Sequence, residues 1–331
     1  MASLEEVRGN DAREARSVGV PGFALVAGAA ALWGSDALFR RGLALELPAA
    51  TVVFVEHAVL VALTVPLLLR GVRAARSFTV RDWVALLVIG VGASATATVL
   101  FTQAFTYGDP TTPLLLQKVQ PLIAVAGARL LLGERLMPRY AIYFLAALAG
   151  AYLISFPDPF DVTADALTPA LLAIGAAALW GMGTVLGRHL SIKIDFASLT
   201  ALRFAVGLPA AAVILLVQGE TSSLAAIDGS SFLALMLLAI VPGLLAILLY
   251  YRGLRQTPAS AATLAELAFP LTAVAVNYVA FGAKLAATQW LGMGILTATI
   301  TIMGLRSARG NRAVGIELPR GGAASPQAAA S

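Results

Sequence analysis

The sequence predicts an all-α membrane protein, ten transmembrane helices arranged as two inverted five-helix repeats, and three observations carry that expectation. Of its 331 residues, 59% are hydrophobic and only 12% charged, against about 25% charged in an average soluble domain. Ten apolar stretches follow one another, each long enough to cross a hydrocarbon core of about 30 Å as a helix. A motif also recurs: Ala-Ala-Leu-Trp-Gly at Ala30 returns 147 residues on at Ala177, and Gly-Glu-Arg-Leu at Gly133 is echoed 149 residues on by Gly-Ala-Lys-Leu at Gly282. The near-equal offsets mark a duplication.

The elements follow in order. Residues 1–17 mix acids and bases without an apolar core, so they read as a cytoplasmic segment rather than a cleaved signal peptide. The first repeat, 18–156, holds five spans. Span 1, 18–39, carries Trp33; span 2, 48–69, carries Glu56 and His57; span 3, 83–107, carries Phe101 and Phe105 one helical turn apart. Span 4, 110–132, carries Gln117, Lys118 and Pro121, and span 5 covers 138–156. A loop at 157–165, with three Asp and no base, is expected outside. The second repeat, 166–305, supplies spans at 166–187, 196–217, 231–251, 258–280 and 285–305. They hold Trp180, Arg203, Tyr250, Glu266 and Pro270 among them. The tail, 306–331, is rich in Gly, Ala, Ser and Pro and reads as disordered. Because the stretches are continuously apolar rather than alternating, they are helices and not barrel strands.

The bases set the orientation. The net charge of +5 would suggest nucleic acid in a soluble chain, but here the bases lie between apolar spans. With both termini cytoplasmic, 17 of the 23 Lys and Arg fall inside, while Arg40, Arg41 and Lys284 fall outside. The positive-inside rule therefore expects N-in and C-in. Five spans per half is odd, so the second half enters from the opposite side. Inverted halves enclose a midplane site whose access alternates as one part rocks against the other.

Leu32-Trp-Gly-Ser-Asp, the 101–107 segment before a Gly-Asp-Pro turn, Pro121, Gly133-Glu-Arg-Leu and Gly150 resemble the EamA-type domain of the drug/metabolite transporter superfamily. The second half matches more loosely, with Leu179-Trp-Gly, Tyr250, Pro270 and Gly282-Ala-Lys-Leu, where Ala283 replaces the usual Glu. Within that superfamily the chain looks most like bacterial YddG-type aromatic amino acid exporters. The resemblance implies a ten-helix exporter of small metabolites in the bacterial inner membrane. The first four helices of each half would surround a cavity, with the fifth helices at the periphery.

Ionisable groups within spans cost roughly 2.5–3.5 kcal/mol each on insertion scales, so each needs a partner or a purpose. Shifting Glu56 by 147 gives Arg203, and shifting Gln117 by 149 gives Glu266. Opposite charges thus recur at matching depth in each half, and the expected ion pairs are Glu56 with Lys118 and Arg203 with Glu266. These pairs either stabilise the bundle or, through Lys118 and Glu266, meet a substrate's carboxylate and ammonium. Pro121 and Pro270 free the carbonyls of Gln117 and Glu266 and are candidate gates. Trp33, Trp180, Phe101, Phe105 and Tyr250, with Gln117, are the candidate cavity lining for a ring-bearing solute.

The expected function is a secondary transporter exporting aromatic or hydrophobic amino acids, by alternating access around a midplane cavity. A carrier of another metabolite or drug is the alternative, and a channel a weaker one. No Walker loop, His-Glu-x-x-His, nucleophile elbow or cysteine is present in the sequence, so neither ATP-driven transport nor an enzyme is expected, and no metal or cofactor. The expected partners are the amino acid and the bilayer, with the chain a monomer or weak homodimer.

Overall fold

In the computed structural model the described residues are 22–313, apart from 108–110, 121, 124–125, 128–129, 131–139, 157, 159, 161–163, 192 and 255–267. Among them every regular element is helical. The first span is two helices, α1 (Gly22–Gly34) and α2 (Ala37–Glu46), and the second is α3 (Ala49–Ala74). The third joins α4 (Val80–Leu87) through a π-wound segment, Val88–Thr96, to α5 (Ala97–Ala104). Next come α6 (Thr111–Leu116), tightening into a 3₁₀ turn at Gln117–Val119, and α7 (Tyr140–Ser155). The second half holds α8 (Ala164–Ser191) and α9 (Phe196–Val217). There α10 (Gly229–Leu238) joins through a second π-wound segment, Ala239–Leu245, to α11 (Ala246–Leu254). The last helices are α12 (Ala268–Phe281) and α13 (Ala287–Ala313).

Five helical stretches among the described residues are long and apolar enough to cross a membrane: Ala49–Ser77, Val80–Ala104, Leu167–Gly187, Ala197–Val217 and Gly229–Tyr250. Two shorter apolar helices, Ala141–Ile154 and Leu271–Phe281, fall where spans 5 and 9 were expected. The outer surface is what lipid requires. Leu63, Ile142, Leu145, Val213, Leu233 and Leu271 are all exposed, on helices whose backbone polar groups can bond within the segment.

Two expected boundaries move. Span 1 does not stop at residue 39. The chain breaks at Ser35–Asp36, where the Ser35 hydroxyl donates to the Leu32 carbonyl (2.7 Å), then continues as helix to Glu46. The last helix passes residue 305 and runs to Ala313, so the tail's first residues are helical. Arg312, in the last turn, suits a helix C-terminus, whose dipole favours cations.

Packing brings the halves together pairwise. Helices α3 and α9 lie along one another, α7 crosses α13, α1 packs on α11 and α12, and α8 packs on α5 and the segment before it. At the α7–α13 crossing a Cβ on Gly150 would lie 2.9 Å from the Gly292 carbonyl oxygen, so both positions admit only hydrogen and the helices meet closely. Gly282 ends α12 in the left-handed region, φ +62°. There the Gly282 N–H returns to Tyr278 O (3.0 Å) and the Ala283 N–H to Asn277 O (3.2 Å). That is a C-terminal cap, and it explains the glycine of Gly-Ala-Lys-Leu.

Candidate functional site

The repeat places equivalent residues in equivalent contacts across the two halves. Trp33 and Trp180 are 147 apart, and Phe101 and Tyr250 are 149 apart. Trp33 of α1 packs on Tyr250 of α11 with ring centroids 5.0 Å apart, and Trp180 of α8 on Phe101 of α5 at 5.1 Å. Each tryptophan thus meets an aromatic of the opposite half. Phe105 continues the series, edge to face with Phe101 at 5.1 Å. Both tryptophans rest on one apolar cluster that includes Ala30, Ala97, Leu114, Ala176, Phe269 and Ala273. Small residues let the rings approach. On Gly34, beside Trp33, a Cβ would stand 2.7 Å from Phe269 O and 2.9 Å from Thr272 Cβ, so α12 can lie there only against glycine.

A polar node adjoins the rings. Arg40 is 4% exposed, Glu56 5% and Asp36 8%. The guanidinium donates to Asp36 through Nε (2.6 Å) and Nη2 (3.0 Å), and to Glu56 through Nη1 (3.2 Å) and Nη2 (3.4 Å). Nη1 also donates to Thr102 Oγ1 (2.7 Å), and Cζ stands 5.9 Å from the Phe101 ring centroid. Helices α2, α3 and α5 are thus tied through one side chain. Arg40 is therefore not the exterior loop base that the charge count expects. It lies one helical turn beyond Asp36, and two carboxylates cancel the cost of burying it. The Asp36–Arg40 spacing of i and i+4 was the available sequence signal.

The remaining site expectations divide. Glu56 is paired with Arg40; the side chain of Lys118, its expected partner, lies outside the described residues. Arg203 donates to Ala93 O through Nη2 (3.5 Å) and lies 5.7 Å from the Phe204 ring. Its expected partner Glu266 lies outside the described residues, as does Pro121. Pro270 falls in the first turn of α12, directly after a segment outside the description. Gln117 begins the 3₁₀ turn in the fourth span and is half-buried. His57, beside Glu56, is buried, with Nδ1 2.9 Å from Val53 O, Nε2 3.0 Å from Ser94 Oγ, and an edge-on contact with Phe204.

Sequence reasoning missed the two π-wound segments. Ala97 N–H bonds Gly92 O, and Ala246 N–H bonds Val241 O, each five residues back. Shifted by 149, the first segment overlies the second. Such segments are rare and concentrate at functional sites. Here each lies one turn before a site aromatic, Phe101 or Tyr250. Among the described residues no cluster of His, Cys, Asp and Glu could hold a metal ion.

Comparison with known proteins gives this arrangement its context. A model of the EamA-like transporter family matches residues 20–156 and again 167–305. The chain belongs to the EamA-like transporter family. This EamA-like chain is a multi-pass membrane transporter, and the family model matches it twice. It is 30% identical over 279 residues to "Riboflavin transporter ImpX" of Fusobacterium nucleatum, covering 82% of this chain and 93% of that protein. It is 25% identical over 254 residues to "Riboflavin transporter" of Brucella anthropi, covering 76% and 86%. A solved structure titled "Crystal structure of protein" aligns over 88% of this chain and all of that one, with TM-score 0.57 and 19% identity, a likeness of fold alone. These EamA-like relatives are named for riboflavin and not for aromatic amino acids.

Proposed function

We propose that this chain carries a small, flat, neutral ring system with polar edges across the bacterial inner membrane, riboflavin being the member of that class named by its relatives, by alternating access between two faces. The observation that supports this most is the pair of inter-half ring contacts, Trp33–Tyr250 and Trp180–Phe101, beside a polar node. A tricyclic flavin offers two faces to such rings and an edge of hydrogen-bonding groups to Gln117, Thr102 and neighbouring polar side chains. Lys118 and Glu266 would add polar contacts from spans 4 and 9, and Pro121 and Pro270 the flexible points of those spans. One chain supplies every group named, so a monomer suffices, with both termini cytoplasmic.

An aromatic amino acid would suit the same rings, but its carboxylate also needs a cation. Arg40 is already held between two carboxylates, so at this node a solute without net charge fits better than a zwitterion, whose carboxylate would have to turn to Lys118 instead.

Proteoliposome flux separates the two. Labelled riboflavin should move saturably and be inhibited by unlabelled flavin but not by tryptophan or phenylalanine, and Trp33→Ala and Trp180→Ala should each raise KM about 2- to 10-fold, the loss of one ring contact. Export, the direction expected from the sequence, requires flux out of right-side-out vesicles. Saturable tryptophan flux without flavin flux would overturn the substrate class and leave the carrier reading intact.

A further inference from the structure

Two polar contacts at opposite ends of the molecule are related by the repeat. At one end Asp82, in the first turn of α4, receives Lys193 Nζ at 2.5 Å, and His189 Nε2 lies 2.9 Å from its other oxygen. At the other end Ser231, in the first turn of α10, donates to Glu46 Oε2 at 3.2 Å. Shifted by 149, Asp82 becomes Ser231; shifted by 147, Glu46 becomes Lys193. Each contact therefore joins the start of span 3 or 8 to the end of the span that packs on it, span 6 or 1. Those are the helix pairs that hold the site rings. Trp33 to Glu46 and Trp180 to Lys193 are both 13 residues, the first crossing the break at Ser35–Asp36 and the second running past the helix end at Ser191, so each contact lies several turns beyond its ring pair.

The chemistry of the two contacts is not equal. In the first half the N-cap is Thr79 and the third helical residue is the acid. Asp82 accepts from Thr79 N (2.8 Å) and Thr79 Oγ1 (2.7 Å) and still reaches Lys193. In the second half the types are exchanged: Asp228 is the cap, accepting from Ser231 N (2.8 Å), and a serine hydroxyl faces the opposite half. The Asp82 side chain is fully buried, whereas the Glu46 contact is one hydrogen bond to a neutral donor. A charge-assisted bond from Lys193 to a buried carboxylate that also lies 2.9 Å from His189 Nε2 is stronger than a single bond from a neutral hydroxyl.

We propose that these contacts are the two latches of the transport cycle, and that the ion pair holds the Asp82 face shut at rest while the Glu46 face, joined only through neutral hydroxyls at Ser231–Glu46 and Thr51–Ser223 among the described residues, is the one that opens. The proposal rests on the carrier reading, but not on its substrate. With both termini inside, the locked face is the cytoplasmic one, and the resting protein offers its ring pairs to the exterior.

The chain has no cysteine, so paired nitroxide labels can be introduced on the native background. Labels at Val80 and Gly187, where an added Cβ meets nothing, report the Asp82 face, and labels at Leu45 and Phe232 report the Glu46 face, by electron–electron distance measurement in lipid nanodiscs without added solute. The unsubstituted chain should show one short distance at the Asp82 face. Lys193→Met, which spares the Thr79–Asp82 cap, should raise the separated population there about fivefold and deplete it at the Glu46 face. Lys193→Gln repeats the test should the Met variant fold poorly. Ser231→Asp with Glu46→Lys, which installs an ion pair on the second face, should lower the separated population there by a similar factor. Distances at the Asp82 face that ignore both Lys193 variants, or a Glu46 face indifferent to the installed pair, would overturn the latches. Flavin flux failing while the distances respond would sink the substrate class instead.

Discussion

Removing Arg40 should damage this protein far more than removing Glu56, although the two are bonded to each other. In Glu56→Gln the guanidinium keeps Asp36 at 2.6 and 3.0 Å and Thr102 at 2.7 Å; what is lost is a pair of longer contacts at 3.2 and 3.4 Å between α2 and α3. Interhelical polar contacts in membranes average about 0.6 kcal/mol and reach about 1.7, so about 1 kcal/mol is the expected cost. Arg40→Met is a different perturbation. It strands Asp36 and Glu56, both under 9% exposed, as two carboxylates in an apolar surround, and breaking a buried pair this way costs about 3–5 kcal/mol. The gap between the variants is therefore about 2–4 kcal/mol. Unfolding in mixed micelles with increasing SDS, followed by circular dichroism, measures it. The triple variant Asp36→Asn, Arg40→Met, Glu56→Gln leaves no stranded charge and should recover at least half of the Arg40→Met loss. Equal destabilisation by Glu56→Gln and Arg40→Met, or a triple variant worse than Arg40→Met alone, would refute the reasoning.

Further outcomes follow from single contacts. Gly34→Val should destabilise by about 1–3 kcal/mol in the same assay, because its side chain enters the α12 backbone at Phe269. Gly282→Val should cost roughly 1–2 kcal/mol through its positive φ, whereas Gly282→Asn should cost less. Ser94→Ala leaves His57 Nε2 without its hydroxyl partner in a buried place and should lose about 1 kcal/mol. Asp195→Ala removes the cap that accepts from Ser198 N at 3.0 Å and should cost about 1 kcal/mol. Hydrogen bonding from Ser198 also holds the Asp195 carboxyl below its usual range. Its contribution is therefore present above the ordinary carboxylate pKa and lost as pH falls through the depressed value, so the Ala variant should match the parent only in strong acid.

The helical class and the repeat motifs were legible in the sequence, and Trp33, Trp180, Phe101 and Tyr250 could be picked out as candidates, because rings and motifs keep their meaning without coordinates. What the offsets did not disclose was partnership. Trp33 and Trp180 were recognisable as equivalents, yet the fold joins each to the aromatic of the other half. Arg40 was misplaced for a physical reason: counting bases assumes that an arginine at the edge of an apolar stretch faces water, and hydropathy cannot register two carboxylates that arrive from one turn back and from the next helix. The π-wound segments were silent as well. Val-Ile-Gly-Val-Gly-Ala-Ser-Ala-Thr is apolar or small throughout, and an extra residue per turn leaves no periodic mark where no face is polar.

Those segments lie between the candidate site rings and the proposed latch residues. Glu56 and Arg203 are repeat equivalents, and each lies against the π-wound segment of the opposite half. Arg203 donates to Ala93 O, and a Cβ built on Gly243 would stand 4.0 Å from Glu56 Oε1. Gly243 and Ser94 are themselves equivalents, 149 apart; where the second half keeps space for a carboxylate, the first has a hydroxyl that meets His57. A π turn carries one residue more than an α turn, so rewinding it as α turns everything beyond it by about 100° about the helix axis. Beyond the first segment lie Phe101 and Thr102, which hold Trp180 and Arg40; beyond the second lies Tyr250, which holds Trp33. Before the two segments lie Asp82 and Ser231, the latch residues. A change of winding at either place would thus break a ring pair without disturbing the latch on the same span, or release the latch while the rings stay joined. On the latch proposal, a π segment between ring and latch in each repeat would therefore provide a means to open one face at a time.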